Sequence, residues 1–226
     1  MAAAPPRPVP IRVAVFIDGQ NLYHQCRRHF GWPWVHPGHL AQALIDEDRE
    51  KYDPHSHVLS SIRFYTGIHD PNKRPAEHAK MSRRLADYSR QNITVVSLPL
   101  KYESSGRARE KGIDVRLAID MVRLGRKGLF DVSIIVSEDS DLDEAVQEVY
   151  SMRDHERWVA VQNALPWSAG SHCHWLPSAK RRRRITQTIF SQLFGSVGNT
   201  MADTFQSQGH SVMTTAKRME EWRRTS

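Results

Sequence analysis

Arg12–Ile17 reads RVAVFI and stops at Asp18-Gly19, and Asp131–Ser137 reads DVSIIVS and stops at Glu138-Asp139. Both are short, apolar, β-branched runs, the pattern of strands covered on two faces rather than one. Working outward, HVLSSIRFYT (His57–Thr66), ITVVSL (Ile93–Leu98) and WVAVQ (Trp158–Gln162) predict three more strands. Helical stretches fall between them: Leu22–Phe30, Pro37–Ile45, Pro75–Arg90, Glu110–Leu124 closed by Gly125, and Ser140–Met152. Pro37 and Pro75 sit where proline is tolerated, at helix starts. Strands alternating with helices predict an α/β fold with a mainly parallel central sheet flanked by helices.

A chain of 226 residues suits one medium domain, or one domain with an appendage. Hydrophobic residues at 39% and charged residues at 25% support a folded core and exclude wholesale disorder. Cys26 and Cys173 are the only cysteines, too few for a disulfide framework or a four-cysteine zinc site. The longest uncharged stretch, Ile185–Ala202, is broken by Thr, Gln, Ser, Gly and Asn, so no membrane association is expected. The opening MAAAPPRPVP lacks the apolar core of a signal peptide and reads as a flexible arm over residues 1–10. A soluble protein of a reducing compartment, the cytoplasm, is expected.

The formal charge of +7 is unevenly placed. Residues 166–226 hold 9 Lys/Arg against 3 Asp/Glu, which leaves the body of the chain nearly neutral. This basic C-terminal extension carries the run Lys180, Arg181, Arg182, Arg183 and Arg184, then a helical stretch Ile185–Phe194. Beyond Gly195 it turns polar, with a charged helix near Ala216–Arg224, and is expected to be partly flexible. A cation run favours a polyanionic partner, because neutralising phosphates releases counterions.

In an open parallel sheet, chemistry gathers at the carboxyl ends of the strands. Asp18 lies at one such end; Asp139 and Asp141 lie at another. Helix spacing adds Asp114: Leu117, Ala118 and Met121 follow it at i+3, i+4 and i+7, so it shares their inward face. Asp120 is rotated away, with Arg116 and Arg123 beside it, and reads as a solvated ion-pair face. Converging carboxylates suit a hard divalent cation, which relieves their repulsion and can activate water against a phosphodiester. The same residues would also serve as ordinary caps: Asp139 or Ser140 for the following helix, with Asp141, Asp143 and Glu144 complementing its dipole.

At VAVFIDGQNLYH (Val13–His24), KGIDVRLAIDMV (Lys111–Val122) and SEDSDLDEAV (Ser137–Val146) the chain resembles the NYN family of PIN-like nucleases. The resemblance spans roughly residues 11–165 and implies a Rossmann-like PIN core acting as a metal-dependent ribonuclease. It implies Mg²⁺ or Mn²⁺ held by Asp18, Asp114 and Asp139, with Asp141 completing the cluster. Asn21 would orient Asp18 or a water on the metal, and Ser137 would hydrogen-bond within the cluster. The third block departs from the family's usual SGDSDF: Glu138 stands for the glycine and Leu142 for the phenylalanine.

RNA is the expected partner. Arg107, Arg109 and Lys111 before the acidic helix, and Arg181, Arg182, Arg183 and Arg184 later, are its candidate contacts, with Lys80, Arg83 and Arg84 as further cations. Tyr23, Trp32 and Trp34 could stack on unpaired bases or be buried. Glu110, one helical turn before Asp114, is a further candidate; His172-Cys173-His174 reads as a loop, since adjacent residues cannot all wrap one ion. The leading function is an endoribonuclease that hydrolyses phosphodiesters with a carboxylate-held metal and activated water. The alternatives are a non-catalytic RNA-binding module, or a DNA-directed nuclease or phosphatase using the same site. Whether the chain forms a homo-oligomer is left open by the sequence.

Overall fold

A computed structural model describes residues 6–53, 56–153, 157–191 and 193. Six parallel strands form the central sheet: β1 (Ile11–Asp18), β2 (His57–Ile68), β3 (Ile93–Pro99), β6 (Val132–Val136), β7 (Ala160–Pro166) and β8 (Arg181–Ile185). Their order is β3-β2-β1-β6-β7-β8. The chain first winds outward from β1 through β2 to β3, then returns to the other side of β1 with β6. The strand order therefore reverses between β1 and β6, and a crevice opens there beyond their carboxyl ends. A short antiparallel ribbon, β4 (Lys101–Tyr102) and β5 (Ala108–Arg109), leaves the end of β3 before the chain re-enters the fold.

Alternation along β1 divides the core in two. Val13, Val15 and Ile17 face α1 (Gly19–Phe30), α2 (Pro37–Lys51) and α3 (Pro75–Arg90), meeting Cys26, Leu44 and Leu85. Ala14 and Phe16 face α4 (Ile113–Arg126) and α5 (Asp143–Ser151), meeting Leu117, Met121 and Val146. With helices on both faces the central strands have no wet side, which is why RVAVFI and VSIIV lack the polar alternation of a half-exposed strand. The helix over Ser140–Met152 starts as a 3₁₀ turn at Ser140–Leu142 before α5, and Gly125 lies inside α4 rather than closing it. Glu110 stands in the loop ahead of α4, not on the helix.

Three expectations change. The arginine run is a strand of the sheet rather than part of an RNA-facing extension: Arg182 and Arg184 are exposed while Arg183 is 3% exposed. Arg183 donates to both Asp48, itself fully buried on α2, and Glu47, and to the Leu44 carbonyl. It is spent inside the fold and cannot contact RNA. Residues 181–185 consequently belong to the sheet and not to an appendage; residues 187–191 and 193 are helical, and Phe190 packs in the first core half. Asp120 is the third change, buried at 1% exposure rather than solvated. It pairs with Arg116 and Arg123 as spaced, but also accepts from Arg63 at 3.0 Å and Tyr65 at 3.2 Å on β2, which closes it against the sheet. Phe194, the polar tail beyond Gly195 and the charged helix expected near 216–224 lie outside the described residues.

Candidate active site

The crevice between β1 and β6 is a cavity of about 540 Å³, lined by Asp18 at the end of β1 and by Gln20, Asn21, His24 and Arg28 on α1. Glu110, Lys111, Gly112, Ile113 and Asp114 line it from the entry to α4, and Glu138 and Asp139 from the turn after β6. Four carboxylates from three separate chain segments face it besides Glu138. Segments 119 positions apart meet here because β1 and β6 pair in parallel and end side by side.

Asp18 is placed by its own helix. It stands in extended conformation ahead of α1 and its Oδ1 accepts the Asn21 backbone N–H at 2.9 Å, a side-chain cap. Its Oδ2 accepts from the buried Ser137 hydroxyl at 3.3 Å, and the same hydroxyl accepts the Asp139 N–H at 3.2 Å. Ser137 thus couples the two strand-end aspartates. The Asn21 side-chain oxygen accepts the Glu138 N–H at 3.1 Å and also receives Gln25, tying α1 to the turn after β6. Asn21 braces the two loops through these bonds. Asn163 on β7, which the sequence did not single out, holds the same turn from behind by donating to the Ile135 and Ser137 carbonyls.

Burial pushes the Asp18 carboxyl up to about 6; the Asn21 N–H and Ser137 pull it down, and Asp139 adds to the rise. Burial likewise lifts Glu110 to about 7, opposed by the Gly67 N–H and reinforced by Asp18 and Asp114. Glu110 can come this close only because residue 67 is glycine: a Cβ there would lie 2.2 Å from Leu100 and 2.8 Å from Glu110 Cγ. Both carboxyls are raised chiefly by burial, with the neighbouring acids adding to the rise.

Asp18, Asp114 and Asp139 are brought together, with Glu110 added. Asp141 is not: it is exposed, lies outside the lining, and uses its backbone N–H to donate to Asp139 Oδ1 at 3.1 Å. Asp139 therefore caps the 3₁₀ turn and lines the cavity at once. Glu138 lines the rim, where its carboxylate pairs with Arg28 at 3.1 Å. That pairing partly offsets the negative charge that the residue in the family's glycine position brings to the cavity.

Lys111 lines the cavity; Arg107 and Arg109 are exposed and lie outside its lining, and Arg109 meets Glu103 at 3.2 Å. Trp32 packs on the core, whereas Trp34 is 40% exposed with Arg84 3.7 Å over its ring and Tyr23 edge-on at 4.9 Å. Lys80 and Arg83 lie exposed on the same helix as Arg84. His172-Cys173-His174 lies in a loop without regular structure.

An all-oxygen donor set with uncompensated charge fits Mg²⁺ or Mn²⁺ in kind. Among the described residues no three Asp, Glu, His or Cys side chains close on one point, so the donors surround a cavity rather than a preformed cage.

A parallel sheet whose switch point gathers carboxylates at a cation-rimmed crevice defines an α/β protein of the acidic-site type. The NYN domain profile matches residues 12–167, and the chain belongs to that family of PIN-like nucleases. A comparison with curated proteins gives no match. Among solved structures, the chain is similar to a protein of unknown function from Vibrio parahaemolyticus, at 17% identity and a TM-score of 0.54, covering 78% of this chain and 94% of that one. That likeness concerns the fold alone. No helix among the described residues is long and apolar enough to cross a membrane.

Proposed function

We propose that the chain is a metal-dependent endoribonuclease whose site is the β1–β6 crevice. The observation that carries this is the meeting of Asp18, Asp139, Asp114 and Glu110 in one cavity, two of them with carboxyls raised toward neutrality. Asp18, Asp114 and Asp139 would hold Mg²⁺ or Mn²⁺, with Glu110 as a further oxygen donor. Such an ion, when bound, supplies Lewis acidity toward a phosphodiester and lowers the pKa of water. Ser137 keeps Asp18 and Asp139 in register, and Asn21 fixes the separation of the two loops that carry them. Lys111, Arg107 and Arg109 orient the phosphate backbone, and Trp34 with Arg84 offers a face on which an unpaired base can stack. No protein nucleophile is needed.

The test is cleavage of a panel of tRNA, rRNA and single-stranded RNA with Mn²⁺, with EDTA, and by Asp114→Asn. Metal-dependent products that vanish in the variant are expected; equal cleavage by Asp114→Asn and Asp18→Asn proteins would refute the proposal. A second reading, an RNA-binding module without catalysis, is favoured by one feature, Glu138 in place of the family's glycine in the third block. Intact RNA throughout, with binding that survives EDTA, would select it. Competition between ribo- and deoxyribo-substrates separates a DNA-directed nuclease.

A further inference from the structure

A second cavity, about 380 Å³ in volume, opens at the other end of the sheet. It is walled by the first residues of β6, β7 and β8, Val132, Ala160 and Arg181, and floored by buried His57 at the start of β2. His57 pairs in register with Ile11, the first residue of β1, whose last residue is Asp18. At about 3.3 Å per residue the two cavities stand about 23 Å apart along that strand.

Four cations line this cavity: Arg7, Arg153, Lys180 and Arg181, and no carboxylate does so among the described residues. Several surface arginines elsewhere face acids: Arg12 meets Asp131, Arg49 meets Asp46 and Arg126 meets Glu148. Here they face rings. Arg7 and Arg153 stand 5.0 and 6.0 Å from the Trp158 ring centre, Lys180 stands 5.0 Å from Tyr150, and Arg181 stands 5.8 Å from Tyr52. Among the described residues, Arg181 alone of the four also reaches an acid, Asp48 at 2.5 Å. An aromatic face orients a cation without cancelling its charge. Like charges gathered at one concavity repel, and a polyanion relieves that repulsion.

We propose that this cavity is a second binding site, independent of the acidic crevice, for a phosphate-bearing ligand. Arg7, Arg153, Lys180 and Arg181 take its oxyanions, and the volume admits a group of nucleotide size. The phosphates could belong to a free nucleoside triphosphate or to an RNA strand.

The experiment measures binding of ATP, and separately of a fluorescein-labelled single-stranded RNA, to the full chain carrying Asp18→Asn, in EDTA. Arg153→Glu/Lys180→Glu, and independently Arg7→Glu, are expected to weaken binding at least about tenfold and to flatten its salt dependence. Arg7 is exposed on the N-terminal segment, so Arg7→Glu tests the cavity even where the double variant does not fold. Arg126→Glu, on α4, makes the same charge change away from the cavity and is expected to cost less than about twofold. Binding of ATP that RNA displaces supports a site for either source; binding of RNA alone supports a strand-tracking site. Neither probe saturating below about 1 mM, unchanged affinity in the cavity variants, or an equal loss in Arg126→Glu would overturn the proposal.

Discussion

Replacing Asp18 by Asn is expected to stabilise the metal-free protein, and to do so only where the native carboxyl would be ionised. Asp18 is 7% exposed and its carboxyl is pushed up to about 6. An aspartate that titrates near 6 in the folded chain and near 4 in the unfolded one binds its proton more tightly when folded. Its contribution to stability is therefore complete below about pH 4 and is lost as pH rises through 6. The loss approaches about 3 kcal/mol, at 1.36 kcal/mol per pH unit. Asparagine keeps the neutral shape at every pH and escapes that loss. Its amide can still accept the Asn21 N–H, but the Ser137 hydroxyl must turn to meet an N–H₂ donor, at about 1 kcal/mol independent of pH. The net expectation is parity or a slight deficit at pH 4 and a gain of about 2 kcal/mol at pH 8, or about 4–8 °C in Tm for a chain of this size. Urea unfolding of both proteins in EDTA across pH 4–8 measures it. Saturating Mn²⁺ should reverse the order, stabilising the native chain and not the variant. A difference that does not change with pH, or a variant that loses ground as pH rises, would refute the account of Asp18 as a buried, uncompensated acid.

Four further outcomes follow from the same structure. Arg183→Ala should cost about 3 kcal/mol, because it empties a buried site and leaves buried Asp48 with Arg181 as its remaining cation, whereas Arg182→Ala on the exposed side should stay within about 0.5 kcal/mol, both by chemical denaturation. Gly67→Ala should cost about 1–3 kcal/mol and also expel Glu110 from the crevice, read as loss of Mn²⁺ affinity beyond the loss of stability. Mn²⁺ affinity of the native chain, followed by calorimetry, should rise with pH from about 5 to about 8, because protons on Asp18 and Glu110 compete with the ion until each is ionised. Asp120→Asn should destabilise by about 3 kcal/mol, because Arg63 and Tyr65 on β2 lose a buried charged partner, while leaving Mn²⁺ affinity unchanged.

The strands that matter most were legible because they are buried on both faces. RVAVFI and VSIIV are unbroken apolar runs; the first leads directly into Asp18, the second is followed three residues later by Asp139, and both aspartates line the crevice. Asp114 followed from helix spacing alone. Spacing failed for Asp120, since arginines three and four residues away look the same whether the helix face meets water or meets Arg63 on a neighbouring strand. The arginine strand failed for a related reason. Arg183 is buried because α2 supplies Asp48 and Glu47, residues more than 130 positions earlier, and no local pattern announces that partnership. Glu110 was judged from its distance to Asp114 along an assumed helix, but a glycine in β2 is what admits it. Asp141 carried the right chemistry in the right motif, yet the 3₁₀ turn directs it outward.

The position of β8 has a bearing on how molecules of this protein coexist in a crowded solution. Among the described residues it is the last strand in the sheet order, with one side unpaired by the sheet. A bare parallel edge invites a strand from a second molecule to extend the sheet. Arg182 and Arg184 flank that edge with exposed positive charge, so two such edges repel before their backbones can meet. Valines at those two positions would retain the strand and remove the barrier, turning the margin of the domain into a template for self-association.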